Sequence, residues 1–142
     1  MTPPPKPPNL DLIHMVQQAR IDHDRTAVPS DVSATYWIEF KCPLPMPTVT
    51  PRSGEFRLHT TLQHVDNDWQ KIKDATEAGH LGYKSKVSTR PTPDYPVTEG
   101  RTICVRTYDA SDEHDLTRIR EELARLGFSP TIYVIDQSNH AP

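Results

Sequence analysis

Gly54-Glu55-Phe56-Arg57-Leu58-His59-Thr60-Thr61-Leu62 decides how the rest of this chain is read. From Glu55 to Leu62, Phe56, Leu58, Thr60 and Leu62 alternate with Arg57, His59, Thr61 and Gln63, the pattern of a half-buried antiparallel strand. A second segment, Tyr83-Lys84-Ser85-Lys86-Val87, repeats the device. A period of two puts Arg57 and His59 on one face and Lys84 and Lys86 on one face. Phe56, Leu58, Tyr83 and Val87 turn the other way.

Between these segments, Asp66 stands at an N-cap position ahead of Trp69, Ile72, Ala75 and Thr76 on one helical face, and Gly79 stands where a helix ends. Leu81 to Thr89 reads as the next strand and Pro91 to Gly100 as a loop. Arg101 to Tyr108 is a further strand with Ile103, Val105 and Thr107 on one side. Ser111 caps a helix whose first turn holds Asp112, Glu113 and Asp115, where negative charge suits the helix dipole. Its buried stripe is Leu116, Ile119, Leu123 and Leu126, and Gly127 closes it. Thr131 to Ile135 is the last strand.

Upstream, Thr35 to Lys41 is aromatic and β-branched, hence a strand. Pro43 to Ser53 carries too many prolines for an inner strand. Asn9 caps a helix in which Leu10, Ile13, Val16 and Met15 recur, ending near Arg20 before a polar stretch from Asp22 to Ser33. The order α-β-β-α-β-β-α-β predicts an α+β fold, a curved and mainly antiparallel sheet with helices packed on one face.

The chain has 142 residues and 15 prolines. That length suits one α+β domain, residues 9–142, preceded by a proline-rich, disordered arm at residues 1–8. A net charge of -3 argues against a nucleic-acid binder working through bulk charge, so any phosphate recognition is local. No apolar run suits a membrane span and no secretion signal opens the chain, so the expected setting is cytoplasmic. Cys42 and Cys104 lack a CxxC spacing and read as reduced thiols. The remaining histidines show no metal spacing, and no cofactor is expected.

An imidazole among cations suggests phosphate-directed proton transfer. A lysine removes a carbon-bound proton only when neutral. Two lysines on one strand face, roughly 6.6 to 6.8 Å apart at the backbone, each disfavour charge on the other. A histidine beside a bound phosphate is held protonated and can protonate a leaving oxygen. Together they suggest β-elimination from a phosphorylated serine or threonine, leaving a dehydroamino acid. Arginines clamp phosphate because a guanidinium pairs with two oxygens at once. The candidates are Arg57, Arg90, Arg101 and Arg106.

Gly54 to Thr61, followed after a helix by Tyr83 to Val87, resembles the catalytic region of the phosphothreonine lyases secreted by bacterial pathogens and of the lyase domains of some lanthipeptide synthetases. The resemblance implies His59 as general acid and Lys86 as general base, with Arg57 and Lys84 as phosphate or electrostatic partners. Trp37 to Lys41 then matches the strand that brings another phosphate-binding basic residue, Lys41. Lys6-Pro7-Pro8-Asn9-Leu10-Asp11-Leu12 is similar to the docking segment such effectors use on kinases, and competes with a helix start at Asn9. A phosphorylated peptide or protein is the implied partner.

Trp69 to Tyr133 is also similar to an uncharacterised family that includes the basophilic-leukaemia-expressed proteins. The shared pattern is Trp69, Leu81-Gly82 before Lys86-Val87-Ser88, Arg101-Thr102-Ile103-Cys104-Val105 before Asp112, and a helix ending Leu126-Gly127. This resemblance implies the fold of the mRNA-cap-binding translation initiation factor.

The rival reading is a non-catalytic member of the same fold that recognises a nucleotide, a phosphopeptide or a partner protein. In its nucleotide form Trp37 and Trp69 sandwich a base and Glu39 reads its edge. The plainer expectation puts both tryptophans in or beside the core. A basic pair on an exposed strand commonly guards against edge pairing, and a third reading is an interaction module whose one positive feature is the proline arm.

Overall fold

The strand alternation becomes one sheet in the computed structural model, which describes residues 4–5 and 9–136. The elements are α1 (Leu10–Thr26), a 3-10 turn (Pro29–Asp31), β1 (Trp37–Lys41), β2 (Gly54–Thr61), α2 (Val65–Glu77), β3 (Lys84–Ser88), β4 (Gly100–Thr107), α3 (Glu113–Arg125) and β5 (Ile132–Ile135). The strands lie in the order β1-β3-β4-β2-β5, with every neighbouring pair antiparallel. This is the expected α+β class.

Alternation decides which side chains enter the core. Ile38, Phe56, Leu58, Val87, Ile103 and Val105 come from one sheet face. They meet Val65, Trp69 and Ile72 of α2 and Leu116, Ile119 and Leu123 of α3 in one buried cluster. Each such side chain contributes about 1.5–3 kcal/mol on leaving water. The opposite sheet face carries the charged alternates.

The first helix departs from expectation. It continues to Thr26 instead of stopping near Arg20, and its apolar residues Leu10, Ile13, Met15 and Val16 are exposed. What docks it is polar: Asp24, only 3% exposed, accepts a hydrogen bond at 3.1 Å from the Glu39 backbone N–H on the outer edge of β1. The lost helical stop is explained by the sequence after Arg20, which has no proline before Pro29.

Two caps also differ. The second helix has His64 at its N-cap without a side-chain bond, because Asp66 is engaged by the backbone N–H and hydroxyl of Ser30. The third is capped by Asp112, which accepts from the Asp115 N–H, while Ser111 donates to Asp109. Both helices end as expected: Gly79 and Gly127 take positive φ, and the following His80 and Phe128 N–H groups bond back to Ala75 and Leu123.

Apart from Pro4 and Pro5, the arm at residues 1–8 lies outside the described residues, as does the Lys6–Pro8 part of the docking segment. Its remainder opens the helix: the Asn9 side chain accepts from the Leu12 N–H at 3.1 Å. No described helix is long and apolar enough to cross a membrane.

Candidate functional site

Strand register arranges the open face in three rows running from β1 through β3 and β4 to β2. They are Trp37, Ser88, Thr102, His59; then Glu39, Lys86, Cys104, Arg57; then Lys41, Lys84, Arg106, Glu55. Neighbouring strands lie about 4.8 Å apart, so Lys86 and Arg57 stand about 10 Å apart at the backbone, with Cys104 between them. The loop at 91–99 overhangs these rows and helps enclose a cavity of about 430 Å³, with Trp37, Glu55, Arg57, Lys86, Asp94 and Arg106 in its wall.

The charge centre of this cavity is a carboxylate. Glu55 is 4% exposed and lies 2.7 Å from Arg57 Nε, 2.9 Å from Arg106 Nη1 and 3.8 Å from Lys86 Nζ. Burial alone would raise its pKa. Hydrogen bonds from Arg57, Cys104 and Arg106 and the charge of Lys86 outweigh burial and hold the carboxyl below its ordinary range. Arg106 also holds Asp136 at 2.7 and 2.5 Å, which brings that carboxyl down to about 2 against the opposing effect of burial.

Cys104 forms part of the floor and is 1% exposed. Burial, followed by the charge of Glu55, pushes its thiol well above the usual range, which makes it a poor nucleophile.

The sequence-predicted residues divide by location. Lys86 lies in the cavity wall with Nζ 4.2 Å from the centre of the Trp37 ring. His59 is at the rim, its ring stacked on Tyr95 at 4.3 Å with an interplanar angle of 1°, and its Nε2 3.2 Å from Asp94 Oδ2. Arg57 and Arg106 lie in the cavity wall. Lys84 shares the face but sits outside the cavity, 3.5 Å from Glu39. The two lysines therefore each have a carboxylate neighbour.

Three other residues expected to bind phosphate are not in the wall of this cavity. Lys41 borders a separate hollow of about 500 Å³ beneath the proline-rich loop at 43–49. Arg90 stacks over Tyr36, 5.0 Å from its ring centre. Arg101 shares the strand face of Ile103 and Val105, so it projects to the helix side of the sheet, where Nη1 donates to the Gly100 carbonyl.

Of the aromatic expectations, core placement holds for Trp69, while the base sandwich and the inward turn of Tyr83 do not hold. Trp69 is core at 1% exposure, on the other side of the sheet from Trp37, so the two cannot sandwich one base. Tyr83 precedes β3, and its hydroxyl accepts from Arg106 Nε at 3.1 Å. The residues missed from the sequence are Glu55, Asp94, Tyr95, Asp136 and Trp37 in this setting. Glu55 and Trp37 carried a signal: each shares strand parity with the basic residues.

Fold and site together define an α+β protein with one helix-covered sheet face and one open, ion-paired face. Residues 48–133 match the family described as basophilic leukemia-expressed protein Bles03, and the chain belongs to that family. The matched span includes Glu55, Arg57, His59, Lys86, Asp94 and Arg106 and leaves out Trp37 and Asp136. No curated protein matches the chain.

Proposed function

We propose that the open face binds a phosphorylated serine or threonine side chain of a peptide or protein and eliminates its phosphate. The observation that carries this reading is that Lys86, Arg57 and Arg106 share one cavity wall on the open sheet face, with His59 on the same face one row away, against Asp94 of that wall. In the proposed step the Lys86 amine takes the Cα proton and the C–H electrons form the Cα–Cβ double bond. The Cβ–Oγ bond breaks, His59 protonates that oxygen, and phosphate leaves. Arg57, with only its Nε committed to Glu55, supplies planar donors for the phosphoryl oxygens, whereas Arg106 spends its donors on Tyr83, Glu55, Asp136 and Ser53 and holds those groups in place; no water or metal takes part in the step.

One observation favours a non-catalytic reader of the same phosphorylated group. Lys86 rests against the Trp37 ring and 3.8 Å from Glu55, partners of the kind an ammonium takes, whereas a base must be neutral. Incubation with a phosphothreonine peptide followed by mass spectrometry separates the two. Loss of phosphoric acid to leave dehydrobutyrine supports elimination, and Lys86→Ala abolishes it. A peptide that binds unchanged supports the reader, and free threonine overturns elimination in favour of a phosphatase.

A further inference from the structure

The loop at 91–99 places one carboxylate oxygen against two of the basic groups that the proposed function uses. Asp94 Oδ2 is 3.2 Å from His59 Nε2 and 3.6 Å from Arg57 Nη1, bridging the proposed acid and a proposed clamp. That nitrogen of His59 is the one at the tip of the ring, and the carboxylate that holds it belongs to the cavity wall, which His59 itself does not line. The geometry points to Asp94 as a built-in competitor, an autoinhibitory latch that an incoming phosphoryl group must displace. This inference rests on the phosphate reading of the same site.

Three features make the contact displaceable. The Asp94 side chain is 36% exposed, in contrast to Glu55 at 5%. Arg57 keeps its shorter bond, 2.7 Å to Glu55, when Asp94 leaves, so the clamp stays aimed. The loop is anchored away from its tip: the Thr92 hydroxyl bonds that of Thr102 at 2.7 Å, and the Gly100 N–H bonds the Val97 carbonyl at 2.8 Å. Between these anchors, Asp94 and Tyr95 reach down onto Arg57 and His59, and Glu99 holds a φ of 63° unusual for a side-chain-bearing residue. Pro91, Pro93 and Pro96 restrict the backbone of this loop.

Titration of a phosphothreonine peptide into Lys86→Ala and into Lys86→Ala carrying Asp94→Asn, a background in which the proposed elimination cannot consume the peptide, followed by calorimetry, tests this. Asp94→Asn removes the competing charge at nearly constant size, and the latch predicts affinity about tenfold tighter. Equal affinity overturns the latch and leaves the phosphate reading standing. Weaker binding overturns it too, and makes Asp94 a positioning residue for His59. Absence of binding by both proteins overturns the phosphate reading and the latch together. As a check that does not depend on the variant, phosphopeptide binding should shift the His59 and Tyr95 ring resonances of the unmutated protein, and rings that stay unshifted in a bound complex contradict displacement.

Discussion

Glu55 decides what the basic residues around it can do. One buried carboxylate faces Arg57, Lys86 and Arg106, so removing its charge leaves those cations partly uncompensated. Glu55→Gln should cost about 3 kcal/mol near neutral pH, measured by denaturant unfolding. Because its folded pKa is depressed, the unfolded chain takes up the proton first as pH falls. Its contribution is complete above the ordinary value of 4.5 and is lost as pH drops through the lower folded value. Thermal melts should therefore show the gap between Glu55→Gln and the unmutated protein closing below that pH. A gap of constant size would mean that Glu55 contributes shape and not charge. At the same scale, Lys86→Ala should abolish elimination and Lys84→Ala should reduce it by less than tenfold, since Lys84 lies outside the cavity. Initial rates on the phosphothreonine peptide measure both.

Elements set which residues meet, and their entry points are tightly constrained. Gly82, just before β3, packs so near β4 that a Cβ there would lie 1.7 Å from the Arg106 carbonyl oxygen. Gly82→Ala must push the two strands apart where Lys84 and Arg106 face each other, costing about 3 kcal/mol and weakening peptide binding as well as stability. Unfolding midpoints and calorimetry together check this, because a purely local effect would leave affinity unchanged in the folded fraction. At the other edge, Asp24→Ala leaves the Glu39 N–H without its side-chain acceptor and should cost about 1–3 kcal/mol by urea unfolding. The strands, α2 and α3 were legible because their periods are local properties of the chain. The extent of α1 was not, since its anchor is a tertiary contact between Asp24 and a strand edge.

At the scale of the whole molecule, legibility falls with distance along the chain. His59 and Arg57 share a face by alternation alone. That they share this face with Lys86 required the order β1-β3-β4-β2-β5, which no period encodes. Asp94 and Asp136 come from a loop and a strand end, and nothing in their sequence neighbourhoods announces an ion pair. Arg101 shows the opposite case: its parity with Ile103 already placed it toward the helices, yet composition made it attractive as a phosphate clamp. Trp37 likewise shares parity with Glu39 and Lys41, which put it on the open face, while its size suggested core. The resulting molecule concentrates its charged groups on one sheet face and its apolar groups on the other. The most direct test is a phosphothreonine-peptide titration followed by backbone amide NMR. The account predicts shifts at Arg57, His59, Lys86, Asp94 and Arg106, with α2 and α3 unmoved. Shifts confined to the hollow at residues 41–49, or none at all, would contradict it.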